Sequence, residues 1–391
     1  MMKKLSLYVA LIFLSANSAF VFAQNNNPGV VIGQDPLNKN ITTAVPFLTI
    51  TPDSRAAGMG DAGVATSPDV NSAYWNAGKL AFIDKGYGVS LSYTPWLAKI
   101  INDMKLVYLS GFYKINREET VGMSLKYFDL GKINLNTGPL PSQSLGTANP
   151  REFAIDVTYS RLLSEHFSIG GSLRYVNSNL TGSANLGSGV DAQVGQSVAV
   201  DLGVFYTKPL KNKNATLSLG ASISNIGAKM SYTGPTSSNF IPTNLRLGGA
   251  YKTELNALNT LTFALDFNKL MVPSPAPGST QKPLLSGILG SFGDASGGFS
   301  EELREVTISA GVEYWYNQTF AGRLGYFYEA QDKGNRKYLT AGIGFKKDQF
   351  GFDGAYMIPT NGRESALAET FRLTVMYIWP TKAKAEESVT D

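Results

Sequence analysis

The chain has 391 residues, and its 34 Lys and Arg against 30 Asp and Glu give a net charge of +4, too small to point to a nucleic-acid partner. It contains no cysteine, which excludes a disulfide framework, thiol catalysis and thiolate metal ligands. Forty Gly, 19 Tyr and 21 Phe are high for this length, while only 16% of residues are charged, a balance that fits an envelope protein better than a soluble enzyme.

Met1 to Ala23 carries Lys3 and Lys4, then an apolar run from Leu5 to Phe22 and a small residue before Gln24. This is the pattern of a secretory signal peptide, residues 1–23. Ser15, Asn17 and Ser18 interrupt the run and argue against a spanning anchor. No Cys follows the cut, so a lipoprotein anchor is excluded, and the remainder is expected to be exported. No later apolar run is long enough for a spanning helix. A membrane protein without such peaks has to be a closed barrel, because alternation along its strands dilutes the hydropathy signal.

Residues 47–82 contain Gly58, Gly60 and Gly63 at the spacing G-x-G-x-x-G, with Asp84 near the place of a ribose-binding acid. A dinucleotide site needs a strand before the glycines, a helix after them and a βαβ unit around them. Here Pro52-Asp53 precedes them, Pro68 follows within a few residues, and no alternation of helix and strand comes downstream. The structural reading is a glycine-rich turn where backbone must approach backbone. Short helical turns are expected at 54–58, capped by Asp53 or Ser54, and at 70–77. The stretch resembles the amino-terminal signature of the FadL-like outer-membrane barrel superfamily, in which an Arg-Ala-x-Gly-Met-Gly-x-Ala block precedes Asn-Pro-Ala-Gly-Leu. Arg55 to Ala62 matches the first block, and Asn76-Ala77-Gly78-Lys79-Leu80 matches the second without its proline. The resemblance implies a hatch or plug at the periplasmic end of a barrel.

From Tyr87 onward, period-two alternation predicts strands at 87–95, 103–115, 120–130, 151–163, 166–177, 198–208, 214–225, 243–253, 260–269, 305–316, 319–330, 337–347, 349–358 and 369–379. That makes about fourteen strands of roughly 9–13 residues, suited to tilted membrane crossings. The segment Val306–Lys347 is the clearest case, with Ile308, Val312 and Tyr314 alternating against Thr307, Ser309 and Glu313. Other outward sets are Val121, Met123, Leu125 and Tyr127; Leu217, Leu219, Ala221 and Ile223; Leu261, Phe263, Leu265 and Phe267; and Phe371, Leu373, Val375, Tyr377 and Trp379. Thr262 and Ser218 fall on the opposite, inward face. So do Lys126, Asp156, Arg174, Asp201, Arg246, Asp266, Asp353 and Arg372, which can pair across a lumen but not face lipid cheaply. Tyr93, Trp96, Tyr175, Tyr206 and Trp379, at strand ends, suit interfacial girdles.

Connections sort by length. Those after strands two, four, six, ten and twelve are tight, whereas 131–150, 178–197, 226–242 and 270–304 are long. Short turns on one side and long loops on the other is the arrangement of a bacterial outer-membrane barrel. The expected architecture is therefore all-β: a closed antiparallel transmembrane β-barrel with a short N-terminal plug. Residues 24–86 form the periplasmic extension and plug, 87–380 the barrel and 381–391 a periplasmic tail. An even strand count puts both termini on the periplasmic side and the long loops outside.

Catalysis has little to rest on. The single histidine, His166, sits beside Glu165 at a short turn, with no second histidine or cysteine to share a metal and no convergent Ser and Asp. Neither enzyme activity, cofactor nor metal is expected. Loop 270–304 is more informative: Leu284, Leu285, Ile288, Leu289 and Phe292 draw an apolar stripe along a short helix after Pro273, Pro275 and Pro277. Such a stripe either caps the barrel mouth or docks another protein. Met230, Tyr232 and Phe240 (with Ile241), in loop 226–242, offer a second apolar surface.

Glu301-Glu302-Leu303-Arg304-Glu305, Gly311 to Tyr316, Phe320-Ala321-Gly322-Arg323 and Lys333 to Tyr338, taken with residues 47–82, resemble the PorV family of the Bacteroidetes type IX secretion system. The resemblance covers nearly the whole chain after the signal peptide. It implies a fourteen-stranded barrel embedded in outer-membrane lipid that does not itself conduct cargo. Such a barrel binds the C-terminal domains of secreted proteins emerging from a SprA-like translocon and carries them to a PorU-like sortase. The competing expectation is a FadL-like channel for long-chain fatty acids or other hydrophobic small molecules, which would need a greasy interior.

Overall fold

Strands that alternate apolar and polar side chains can shelter the polar set only if the sheet closes around it. The computed structural model describes residues 39–84, 86–96, 103–136, 144–180, 193–210, 213–233, 238–275, 282–360 and 370–379. The expected signal peptide and residues 24–38, the tail 381–391 and parts of the long loops lie outside the described residues. Fourteen antiparallel strands form one closed barrel. They are β1 (Tyr87–Pro95), β2 (Lys105–Lys114), β3 (Glu119–Asp129), β4 (Arg151–Ser164), β5 (Phe167–Asn179), β6 (Gly195–Leu210) and β7 (Ala215–Gly227). The second half comprises β8 (Asn244–Glu254), β9 (Asn259–Leu270), β10 (Val306–Tyr316), β11 (Phe320–Tyr328), β12 (Lys337–Lys347), β13 (Phe350–Pro359) and β14 (Phe371–Trp379). Each strand pairs with its neighbour in sequence, and β1 closes on β14 with Tyr87 opposite Trp379 and Tyr93 opposite Leu373.

The register follows the alternation. Thr262 and Ser218 are buried inside, whereas Phe263 and Leu219 next to them are about half exposed on the outer wall. Met123, Val157, Leu173, Leu324 and Ile343 are all exposed on that wall, a continuous apolar belt that a water-soluble protein does not present. Among the described residues no helix is long and apolar enough to cross a membrane. At the turn end Tyr87 stacks on Trp379 (4.6 Å) and Tyr377 packs edge-on against it (4.3 Å), part of an aromatic girdle. Trp96 departs from its expected place. It is half-buried and meets the inward ring of Phe128 edge-on at 6.4 Å, closing the barrel mouth instead of facing lipid.

The tight turns gather at one end. Asn317 and Gln318, in the three-residue turn between β10 and β11, both adopt positive φ (49° and 52°). The long connections gather at the other end, where two short hairpins (Ile133–Asn136 with Ser144–Ala148, and Met230–Ser231 with Ser238–Asn239) extend them. Alternation did not reveal these hairpins, because two to five residues are too few for a period.

Residues 39–84 fill the lumen. They contain α1 (Ser54–Ala57), α2 (Ser72–Trp75) and 3-10 turns at Pro46–Thr49 and Ala77–Phe82. Asp53 caps α1 by accepting from the Ala56 N–H at 2.9 Å, as the sequence suggests. At the loop end Phe47 and Leu48 pack with Leu106, Phe128, Val176 and Met230. At the turn end Leu80 and Ile83 pack with Phe112 and Met376. The plug therefore threads the barrel from end to end, where the superfamily resemblance implied a hatch at one end only. The strand count places Tyr87 and Trp379 together, but Lys39 lies at the opposite end, its N–H donating to the Asp332 carbonyl at 2.9 Å.

Candidate functional site: a sealed lumen beneath an apolar loop face

Buried charge has to be matched, and here the plug matches the wall. Arg55, just inside α1, donates through Nε and Nη2 to the two oxygens of Glu313 on β10, at 2.9 and 2.8 Å. Its Nη1 reaches Asp69 at 2.8 Å. Glu313 also accepts from Arg323 Nε on β11 at 2.7 Å, and Arg323 Nη1 reaches Asp353 on β13 at 2.6 Å. All five side chains are buried or nearly so. On β9, next to β10, Asp266 accepts from the Gly63 and Val64 N–H groups at 2.7 and 2.9 Å, and Lys126 on β3 donates to the Leu48 and Ile50 carbonyls. Arg174 pairs with Asp156 and Asp201. The eight inward charges expected from the sequence are all buried inside the barrel, where several hold the plug as well as pairing with one another.

The glycine-rich turn works as its composition suggests. Gly60 has φ 67°, and a Cβ there would come within 2.6 Å of the Tyr326 backbone on β11. Gly325 faces it so closely that a Cβ would lie 2.0 Å from the Gly60 nitrogen. The spacing that mimics a nucleotide fingerprint serves backbone-to-backbone packing.

Above this seal lies the long connection between β9 and β10, with α3 (Leu284–Gly290) and α4 (Phe299–Arg304). An ion cluster anchors it. Lys333 Nζ meets Glu301 and Glu305 at 2.8 and 2.9 Å, Lys269 Nζ meets Glu302 and Glu305 at 2.9 and 2.5 Å, and Lys39 reaches Glu301 at 2.6 Å. Burial alone would raise the Glu301 carboxyl, but hydrogen bonds from Lys333, Lys39 and the Gly297 N–H bring it down to about 2. Burial also works against the Lys333 ammonium, yet its bonds to Glu301 and Glu305 hold it above its ordinary value. Two stretches that looked separate in sequence, 301–305 and 333–338, thus meet around shared charges.

The apolar residues of this loop divide between two roles. On a helix, i and i+1 point about 100° apart, so Leu284 and Ile288 share one face and Leu285 and Leu289 the next. Ile288 is buried and Leu284 half-buried, while Leu285 and Leu289 are 66% and 70% exposed. Phe292 is 47% exposed, with Lys269 Nζ 5.7 Å from its ring. In the loop before β8, Met230 and Phe240 are buried, the latter so close to α3 that a Cβ on Gly287 would fall 2.4 Å from its ring. Tyr232 is half-buried and donates to Ser178 Oγ at 2.9 Å. Of the eight candidate residues, Met230, Phe240 and Ile288 therefore hold the loops together, and Leu285, Leu289 and Phe292 form an open surface. Phe299 and Leu303 are likewise exposed, on α4 of the same loop. The sequence carries that signal in an apolar pair four residues apart, set within an acidic run.

A cavity of about 510 Å³ remains at the loop end of the lumen, between the plug and β8–β12. It is lined by Trp75, Phe327 and Tyr338, by hydroxyl and amide side chains, and by Asp61, Arg246, Glu305, Glu329, Lys333 and Arg336. Among the described residues no group of His, Asp and Glu has the makings of a metal site, and His166 stands at the turn end with its ring 6.2 Å from Tyr206.

Among solved structures, the chain is similar to the TodX deltaS2S3 mutant monoaromatic hydrocarbon channel, at 14% identity over 84% of this chain and 98% of that one, with a TM-score of 0.51. It is also similar to the Ralstonia pickettii toluene transporter TbuX (12% identity, 84% and 97% covered, TM-score 0.45) and to a Pseudomonas aeruginosa FadL homologue (12%, 84% and 98%, TM-score 0.46). At such identities the likeness concerns the fold alone. No curated protein matches the sequence. The family described as "Type IX secretion system protein PorV" matches residues 34–277, which takes in the plug, β1–β9 and the start of the long loop. The chain belongs to the PorV family of type IX secretion system proteins, built as an outer-membrane β-barrel.

Proposed function

We propose that this barrel is a cargo carrier of the type IX secretion system. Its loop face binds the C-terminal domain of proteins emerging from a SprA-like translocon and delivers them to a PorU-like sortase at the cell surface. In this reading the long loops point outward from the cell, and the tight turns with Trp379 point to the periplasm. The observation that carries it is the contrast between the two candidate routes. The lumen is occupied from end to end by a plug tied to the wall through buried ion pairs, while Leu285, Leu289, Phe292, Phe299 and Leu303 stand exposed on one loop. A channel for hydrophobic small molecules would need a greasy passage. The inner wall bears Lys126, Asp156, Arg174, Asp201, Arg246 and Asp266 instead. Neither role calls for catalysis.

The test is the double substitution Leu285→Asp and Leu289→Asp. Both side chains are already exposed, so the barrel should fold and keep its heat-modifiable gel migration. At a packed interface each uncompensated carboxylate costs on the order of several kcal/mol. Cargo should then co-purify poorly with the variant and accumulate unprocessed inside the cell. Normal recovery and surface delivery of cargo would rule this face out and leave 131–150 and 226–242 as the docking loops.

A further inference from the structure

The loop-end cavity contains one cation, Arg246, that forms no contact ion pair among the described residues, its acidic neighbours Asp201 and Asp266 acting on it only from longer range. Of the three acids lining it, Glu305 is held by Lys269 and Lys333, and Glu329 by both arms of Arg336 at 2.7 and 2.8 Å. Asp61 accepts from the Tyr338 hydroxyl at 2.5 Å and lies 3.6 Å from Arg372. Lys333 and Arg336 are spent in these pairs. Arg246 on β8 is not. It is 5% exposed, its Nη1 donates to the Tyr74 carbonyl at 3.2 Å, and its guanidinium lies 5.1 and 5.5 Å from the Tyr74 and Trp75 rings. With the Asn244 amide turned to satisfy both of its atoms, that oxygen accepts from Arg246 Nε at 3.1 Å. Among the described residues no carboxylate lies within ion-pair distance of it.

A guanidinium carries five N–H donors, and only two are engaged here, both by neutral acceptors. With its acids beyond contact, the guanidinium keeps donors free for an anion that can reach it. Trp75 and Tyr74 hold the guanidinium plane in place, and a fork held in that way suits the two oxygens of a carboxylate. The volume, about 510 Å³, is that of a small-ligand site. Thr51, Asn268 and Thr307 in the lining add hydrogen-bonding groups suited to amide or hydroxyl neighbours of the acid.

We propose that this cavity binds a carboxylate-bearing ligand entering from the loop end, its carboxylate seated on Arg246. The acid belongs either to the free end of a peptide chain or to a small organic anion. The proposal stands independently of the apolar loop face, since it uses none of those residues.

The detergent-purified full barrel would be titrated by calorimetry with acetyl-trialanine, with the same peptide amidated at its C-terminus, and with benzoate. Saturable binding of the free-acid peptide, weakened at least about tenfold by amidation, is the expected result, given the usual worth of a charge-assisted hydrogen bond. Arg246→Gln should weaken the acid to a similar extent, and Arg246→Lys should restore part of it. Binding of benzoate but not of the peptide would keep the site and assign it to small anions. Equal binding of acid and amide, no binding of either acid, or an undiminished response in Arg246→Gln would overturn the proposal. If Arg246→Gln fails to fold, the comparison of acid with amide on the unaltered protein decides alone.

Discussion

Replacing Glu313 by Ala should free the plug. Glu313 is the centre of the strongest tie between plug and wall, taking two hydrogen bonds from Arg55 and one from Arg323 with about 1% of its side chain exposed. Without it, Asp69 is the one acid left to Arg55 and Asp353 the one left to Arg323, beside neutral acceptors at Ser67 and Ile343. Removing one partner of a buried ion pair costs about 3–5 kcal/mol, because the charge left behind stays desolvated. If that cost falls on the attachment of α1 and not on the barrel's strand ladder, the detached population rises by about two to three and a half orders of magnitude. Detachment can be read chemically, since the chain has no cysteine of its own. Ala56→Cys, at a position 5% exposed, would be nearly inert to a water-soluble maleimide in the parent barrel. Adding Glu313→Ala should make it react quickly while the gel migration of the folded barrel persists. Slow labelling in the double variant, with unchanged thermal stability, would mean that packing alone seats the plug and that the ion pairs contribute little.

Two further outcomes follow from the same structure. Purified barrel in planar bilayers should show no steady large conductance, because the plug threads the lumen and leaves no continuous passage past its packed side chains at the two ends; a stable porin-like current would contradict this. Glu301→Gln should lower the thermal midpoint of the loop region at neutral pH, and the difference from the parent should shrink on acidification. The sign is fixed by the Glu301 carboxyl, held down to about 2 in the folded protein from its ordinary 4.5. A lowered acid stabilises the fold above its unfolded value, and that contribution is lost as pH falls from about 4.5 through 2. A difference that grew with acidification would show that Glu301 is not held by Lys39 and Lys333.

Much of the barrel could be read from the sequence because alternation is a property of each strand by itself. Fourteen strands appear within a few residues of their expected bounds, and a one-residue slip would have swapped Thr262 with Phe263. The plug was legible only in part. Asp53 and the three glycines announced a capped turn and close packing, but the partners of Arg55, Lys126 and Asp266 lie about 80 to 260 residues away. No local pattern encodes such pairings. The loops were least legible: an i, i+4 pattern identifies two adjacent apolar faces on α3 without saying which one meets Phe240. Burial of Ile288 and exposure of Leu285 is a tertiary fact.

The most direct test asks whether cargo delivery needs the plug to move. Ser54 and Thr374 touch through two hydrogen bonds of 2.9 Å, one from the Ser54 N–H and one from the Thr374 hydroxyl to Ser54 Oγ. Replacing both by cysteine and oxidising the pair would pin α1 to β14, with no other thiol in the chain to compete. Surface delivery of cargo would then be measured in cells whose only copy of the protein carries the cross-link, with and without reductant. If the loop face does the work, delivery proceeds at the parental level with the plug locked. Delivery that stops on oxidation and returns on reduction would place the route through the lumen and contradict the account.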